Sequence, residues 1–207
     1  FRAVFQFLEN GGSSIFAANF RGSTRYGLSF MKMVEGEWGN GPRHDMIAGI
    51  DWLIEQGMAD KEKHFLMGGS FGVYMAHLLH GRHPEYFKAV VDIFGPSDLF
   101  SFINSVPEFW KPAMDQWVGN PERDREKLID FSPITHLEGM TKPMLVIQGA
   151  NDPRVVKAES DKIVEALRQK GRKVDYMVLE DEGHGFTKKE NEILVYRAIA
   201  DFFNRYL

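Results

Sequence analysis

The 207-residue sequence contains no cysteine, which excludes disulfide bonds and thiol chemistry but does not fix the compartment. It has no excess of positive charge: the net charge is −4, so we expect no nucleic-acid partner. No apolar run approaches the length of a membrane span, so we expect no membrane partner either. With 43% hydrophobic residues and no evident linker or repeat, residues 1–207 are predicted to form one domain with a sizeable core.

Short apolar runs alternate with segments of helical periodicity along most of the chain. The runs predicted to be strands cover residues 13–20, 63–68, 88–95, 143–149 and 173–179. The segments predicted to be helices cover residues 2–12, 43–57, 71–80, 157–171 and 191–207, and residues 96–142 are expected to be irregular or to form short helices. Such alternation predicts an α/β fold, a mostly parallel sheet with helices on both faces.

A G-x-S-x-G pattern, residues 68–72, lies between a predicted strand and a predicted helix. A sharp strand-to-helix turn favours glycines around a central serine, whose hydroxyl then stands above the sheet. The pattern by itself is weak, and a tight turn that merely uses small residues would also produce it. Its position between strand and helix favours Ser70 as a nucleophile.

A serine hydroxyl needs a base to accept its proton and an acid to orient that base. On this type of sheet the acid and the histidine follow the serine in that order, each on a loop after a later strand. Asp152 follows the strand predicted at residues 143–149, and His184 follows the one predicted at residues 173–179. Because the carboxyl ends of parallel strands meet at one edge, we expect Asp152 and His184 to lie close to Ser70.

These motifs, together with "NFRGSTRYG", "GNPE…FSPITH", "GANDPRV" and "DEGHGF", resemble the catalytic domain of the prolyl oligopeptidase family of serine peptidases, above all its acylaminoacyl-peptidase-like and dipeptidyl-peptidase-like members. The resemblance extends from about Asn19 to the end of the sequence. It implies an α/β-hydrolase fold without a cofactor. It also implies Ser70 as nucleophile, His184 as general acid/base and Asp152 as the acid behind it.

The resemblance further implies how substrate and partners are bound. The backbone N–H of Phe71 is expected to stabilise the oxyanion, and Arg154 to bind a carbonyl of a short peptide substrate. Full-length members often carry an N-terminal β-propeller, which we list as a potential partner domain. The chain could also form a homo-oligomer.

The sequence departs from the family pattern in two places. Val73 stands where members commonly have a second glycine, so the helix is expected either to shift away from the strand or to meet a smaller neighbour. The segment that supplies the second oxyanion donor would precede Phe1, together with further strands. We therefore expect the sequence to be a C-terminal part of a longer protein, without the first strands of its fold.

Other chemical groups have simpler interpretations. His77, His80 and His83 have a spacing that could bind a metal, but surface histidines of a helix explain it better, and no metal site is predicted. Asp181 and Glu182 are close to His184 in sequence, yet Asp152 is the preferred partner because adjacent residues seldom reach back to the ring. Several aromatic residues of the irregular segment either pack in the core or line a substrate pocket; these are Phe109, Trp110 and Trp117.

The sequence leaves three functions open. A serine peptidase that acts on short peptides is the leading hypothesis. A carboxylesterase of the same fold would use the same triad, because both reactions pass through an acyl-enzyme. A hydrolase-like domain without activity that binds a partner is the third.

Overall fold

A computed structural model of the chain describes residues 3–207. Its strands are β1 (Phe65–Gly69), β2 (Ala89–Ile93), β3 (Met144–Gly149) and β4 (Val174–Leu179). Its α-helices are α1 (Ala3–Asn10), α2 (Leu28–Lys32), α3 (Gly41–Glu55), α4 (Phe71–Arg82), α5 (Leu99–Ser105), α6 (Lys111–Trp117), α7 (Arg125–Phe131), α8 (Lys157–Gln169) and α9 (Lys189–Asn204). Short 3-10 helices cover Pro84–Tyr86, Glu108–Trp110 and Pro133–His136.

The strands form one parallel sheet in the order β1-β2-β3-β4. Every residue of β3 is buried, as expected for a parallel strand covered on both faces. Successive residues of β2 enter different cores: Val90 packs in the core that contains helix α4, and Val91 in the core that contains helix α9. The sheet is therefore sandwiched between two helical layers, as the alternating pattern predicts.

Helix α1 ends as its sequence predicts. The N–H of Ser13 donates to the carbonyl of Leu8 at 3.1 Å, and the N–H of Gly12 donates to Glu9 at 2.9 Å. Gly12 has a φ of 92°, a left-handed conformation that glycine adopts without strain. The predicted start of this helix, Arg2, lies outside the described residues.

The strand predicted at residues 13–20 is wrong. Within residues 3–207 the sheet ends at β1, and this segment forms no ladder with it. The ring of Phe16 instead lies against helix α3 at Gly49, where an added Cβ would come within 2.6 Å of it. An apolar run predicts side-chain contact, but a strand also needs a neighbouring backbone with free hydrogen-bonding groups.

The remaining predicted strands and helices are confirmed, with ends that shift by a few residues. Residues 96–142 do form short helices. Among residues 3–207, no helix combines the length and the apolar character needed to cross a bilayer.

Candidate active site

Ser70 occupies the turn between strand β1 and helix α4. Its φ is 54° and its ψ −118°, a strained conformation for a residue with a side chain. The N–H of Ser70 donates to the carbonyl of Ile93 at 3.0 Å, which ties the turn to the end of β2. This strained strand–turn–helix geometry is that of a nucleophile elbow.

The glycines of the elbow are not equivalent. A Cβ on Gly68 would lie 2.2 Å from the backbone carbonyl of Gly72, so this position admits only glycine. A Cβ on Gly69 would meet its nearest neighbour, an atom of the Phe94 ring, at 3.9 Å, an ordinary contact. The close approach of helix α4 to strand β1 is therefore set by Gly68.

The β-branched Val73 is accommodated by a smaller neighbour, one of the two outcomes expected. Val73 is fully buried, and a Cβ on Gly95 would lie 2.0 Å from the Cβ of Val73. Gly95, two residues after the end of β2, thus leaves the space that Val73 fills. The elbow keeps its close packing.

Ser70, His184 and Asp152 form a continuous chain of contacts. Nε2 of His184 lies 3.1 Å from Oγ of Ser70, and Nδ1 of His184 lies 2.7 Å from Oδ2 of Asp152. These are hydrogen-bonding distances, with the imidazole between the hydroxyl and the carboxylate. The geometry suits proton transfer from Ser70 to His184.

The carboxylate of Asp152 is buried but remains charged. Burial alone would raise its pKa. Hydrogen bonds from His184 and from the backbone N–H groups of Val155 and Arg154 outweigh that effect and lower the pKa below its usual value. Those N–H groups lie 2.9 and 2.8 Å from Oδ1. An ionised Asp152 is thus available to fix the tautomer of His184 and to stabilise its protonated form.

Two further predicted residues flank the triad. Phe71 begins helix α4, so its N–H has no carbonyl four residues earlier within the helix. Arg154 is exposed, and among residues 3–207 its guanidinium forms no ion pair, although its backbone binds Asp152. The N–H of Phe71 and the guanidinium of Arg154 therefore remain candidate donors to a substrate.

Asp181 and Glu182, the two acids close to His184 in sequence, bind other groups. Asp181 is exposed and pairs with Lys188 and Asn191. Glu182 is buried, and its carboxylate accepts hydrogen bonds from Thr187 and Lys188, which follow His184 in the sequence. Neither side chain contacts the ring of His184.

The loop that contains Phe20 and Arg21 is bound to helix α3 and packs near the elbow. Arg21 forms a two-bonded ion pair with Asp45 on helix α3. The neighbouring Phe20 ring lies 5.5 Å from the ring of Phe71, and Trp38 lies 4.9 Å from it. These contacts pack aromatic side chains over the start of helix α4.

Phe94 was not identified from the sequence. Its φ of 51° is strained, and its ring centroid lies 4.6 Å from that of His184 and 5.7 Å from that of Phe186. Its position at the carboxyl end of β2, just before a Gly-Pro pair, is the signal that could have revealed it.

The helix histidines are not surface residues, so that interpretation is wrong. His77 and His80 are fully buried against the sheet. Nε2 of His77 lies 2.9 Å from Oδ2 of Asp92, whose other oxygen accepts from the N–H of Gly95 at 3.2 Å. Nε2 of His80 accepts from the N–H of Lys142 at 2.9 Å, and burial lowers the pKa of His80 to about 3. In the part of the chain that the structure describes, no cluster of three metal-ligating side chains occurs.

The aromatic residues of the irregular segment are more exposed than expected. Phe109 is 78% exposed and Trp117 is 48% exposed, so packing in the core is wrong for both. Trp110 is half-buried against the core.

Comparison with known proteins decides the family. The model of the prolyl oligopeptidase family matches residues 1–207. The chain belongs to this family. It is similar to dipeptidyl aminopeptidase BIII of Pseudoxanthomonas mexicana, 38% identical over 96% of the chain and 29% of that protein. It is also similar to dipeptidyl peptidase family member 6 of Caenorhabditis elegans, 36% identical over 97% of the chain and 28% of that protein.

Solved structures of the family share the fold. A puromycin-hydrolyzing peptidase of Mycobacterium tuberculosis has a TM-score of 0.87 at 30% identity, over 91% of this chain and 29% of that one. An acylaminoacyl peptidase of Pyrococcus horikoshii has a TM-score of 0.84 at 23% identity, over 91% of this chain and 32% of that one. The predicted α/β-hydrolase class is confirmed. The chain spans less than a third of the length of these relatives.

Proposed function

We propose that these residues form the catalytic part of a serine peptidase that cleaves short peptides through an acyl-enzyme on Ser70. The observation that supports this most directly is the contact chain from Ser70 through His184 to the buried Asp152. Family membership supports the same reaction class. We propose this peptidase activity for the whole protein as well.

In the first half-reaction, Oγ of Ser70 attacks the carbonyl carbon of the scissile peptide bond while Nε2 of His184 takes its proton. The carbonyl oxygen becomes an oxyanion and accepts a hydrogen bond from the N–H of Phe71. Protonated His184 then donates its proton to the leaving amine as the C–N bond breaks. The acyl group remains bound to Ser70.

In the second half-reaction, water attacks the acyl-enzyme while His184 takes one of its protons. The tetrahedral intermediate collapses, the acid product leaves, and His184 returns the proton to Oγ of Ser70. Asp152 stays ionised throughout and stabilises the imidazolium that forms twice in each cycle.

The substrate class is the less direct part of the proposal. The guanidinium of Arg154, which forms no ion pair within residues 3–207, offers a charge-assisted donor to a peptide carbonyl, and this favours a peptidase over a carboxylesterase. The chain is similar to proteins named dipeptidyl aminopeptidase and acylamino-acid-releasing enzyme. These names support, for this protein, a substrate that is a short peptide cleaved near its amino terminus. An attached β-propeller and a homo-oligomer stay predictions.

Fluorophosphonate labelling of the complete protein tests the nucleophile without a choice of substrate. We expect one label on Ser70, none in Ser70→Ala, and unchanged labelling in Ser14→Ala, which alters an exposed serine. Asp152→Asn should lower kcat by about 10⁴, because the wrong tautomer of His184 is then favoured. Labelling that survives Ser70→Ala would refute the proposal.

A further inference from the structure

The loop that carries His184 is built around a buried carboxylate. Glu182 is only 1% exposed. Its Oε2 accepts from the N–H of Thr187 at 2.9 Å and from the hydroxyl of Thr187 at 2.8 Å. Its Oε1 accepts from the N–H of Lys188 at 2.9 Å and from the side-chain amide of Asn191 at 2.8 Å. The carboxylate thus binds residues that follow His184 in the sequence.

These four donors keep Glu182 ionised. The hydrogen bonds from Thr187, Asn191 and Lys188 lower its pKa to about 2. The ammonium of Lys188 pairs with Asp181, and among residues 3–207 no cation pairs with Glu182. The charge is therefore balanced by neutral donors that belong to the loop itself and to the start of helix α9.

The backbone of Glu182 binds the other catalytic loop. Its carbonyl accepts from the N–H of Asn151 at 3.0 Å, directly before Asp152. The side-chain amide of Asn151 also donates to the carbonyl of Glu180 at 2.7 Å. A Cβ on Gly149 would lie 2.2 Å from the carbonyl oxygen of Gly183, so the two loops are in close contact. Glu182 thus joins the position of Asp152 to that of His184.

The residues beside His184 do not hold it in place. Gly183 and Gly185 flank it, and Gly185 has a φ of 145°. Glycines leave a loop many backbone conformations, so the position of the ring depends on contacts made by other residues. Glu182 supplies such contacts: its carboxylate binds residues after the glycines, and its backbone carbonyl binds the loop of Asp152.

We propose that Glu182 is a positioning residue for the reaction: by closing residues 182–188 on its carboxylate, it fixes the imidazole of His184 between Asp152 and Ser70. This inference rests on the catalytic role proposed for His184. A displacement of about 1 Å from productive geometry can cost about 10²-fold in rate. Loss of the clamp should therefore lower kcat, and KM should stay nearly unchanged because acylation and deacylation both use His184 and slow together.

Glu182→Gln is the sharpest variant, because it keeps the shape of the side chain. One half of the new amide becomes a donor that faces other donors, either at Lys188 and Asn191 or at Thr187. In the complete protein we expect kcat to fall by about tenfold to a hundredfold with KM within about twofold. The rate of fluorophosphonate labelling at Ser70 should fall in parallel. Asp181→Asn is the matched control and should retain kcat within about twofold, because Asp181 is an exposed carboxylate.

Spectroscopy and a conservative variant separate positioning from mere stability. The downfield proton resonance of the hydrogen bond between His184 and Asp152 should shift or broaden in Glu182→Gln under conditions where the variant is folded. Glu182→Asp keeps a charged acceptor and should recover part of kcat. If Glu182→Gln does not fold, Thr187→Val removes one donor with little change of shape and should lower kcat by a smaller factor.

The outcomes distinguish the two proposals. An unlabelled wild-type protein would refute the function proposed for Ser70 and His184. A labelled and active wild type whose folded Glu182→Gln variant keeps kcat and the downfield resonance would overturn the role of Glu182 alone. A variant that is only less stable, while its folded molecules react at the wild-type rate, would overturn it as well.

Discussion

The elbow that carries Ser70 and the two loops that carry Asp152 and His184 hold these residues by different physical means. The elbow is held by steric packing: the contact of Gly68 with Gly72, and that of Val73 with Gly95. The loops that carry Asp152 and His184 are held by hydrogen bonds to buried carboxylates. A serine at a strained turn needs a rigid support, whereas a buried carboxylate needs hydrogen-bond donors that keep it charged.

The elbow and the loops should therefore be sensitive to different kinds of substitution. The elbow should not tolerate an added atom, because interiors are close-packed. Hydrogen-bonded loops tolerate small changes in volume but not the loss of an acceptor, since the buried donors are then left without a partner. Substitutions at the elbow and in the loops should therefore have different effects on stability and rate.

Gly68→Ala should be the most damaging small change at the elbow. The added Cβ would lie 2.2 Å from the backbone of Gly72 and would force helix α4 away from strand β1. We expect a loss of about 1–3 kcal/mol in the free energy of unfolding and a fall of about 10² in the labelling rate of Ser70. Denaturant unfolding and labelling kinetics measure both.

Gly69→Ala is the control, because its Cβ would meet only the edge of the Phe94 ring at 3.9 Å. It should change the free energy of unfolding by no more than about 0.5 kcal/mol. Equal losses in the two variants would mean that packing does not hold the elbow in the way described.

Arg154→Ala should separate substrate binding from loop structure. Loss of a charge-assisted hydrogen bond costs about 1.5–3 kcal/mol, which lowers kcat/KM for a peptide anilide by about tenfold to a hundredfold. A simple aryl ester lacks the carbonyl that Arg154 would bind and should lose little. Similar losses on both substrates would show that Arg154 only shapes the loop, and the preference for a peptidase would lose its support.

The loops should respond to pH through Glu182, whereas the elbow should not. The pKa of Glu182 is lowered to about 2 in the folded protein, from about 4.5 for an unperturbed carboxyl. A lowered folded-state pKa contributes stability that is fully present above the unfolded value and is lost as the pH falls toward the folded one. The wild type should therefore lose, between about pH 4.5 and pH 2, the stability that distinguishes it from Glu182→Gln.

Thermal unfolding at several pH values in that range measures this effect, which we expect to be a shift of a few degrees. Gly68→Ala provides the comparison, since its difference from wild type should stay constant over the same range. A pH-independent difference between wild type and Glu182→Gln would contradict the assignment of a charged clamp.

Much of the fold could be predicted because it depends on local pattern. Strands β1 to β4 are short apolar runs, and helices α3, α8 and α9 have apolar residues at helical spacing. The proximity of Ser70, Asp152 and His184 follows from the same reasoning, because each ends or follows a parallel strand. Their catalytic roles stay predictions.

The failures share one cause. Residues 13–20 have the composition of a strand, but their pairing depends on a backbone elsewhere in the chain. His77 and His80 are polar residues on a helix, and only the packing of helix α4 against the sheet makes them buried. Local composition says what a side chain prefers and not which distant residue will face it.

The α/β architecture, and the order of Ser70, Asp152 and His184 at the ends of its strands, can be read from the sequence because strand ends and turn residues are local features. How these three residues are held in place depends on tertiary contacts. The fit of Val73 against Gly95 joins a helix to a strand end, and the bond from Asn151 to Glu182 joins two loops. Such contacts link residues that are far apart in the chain, and their geometry exists only once the sheet has brought its edges together.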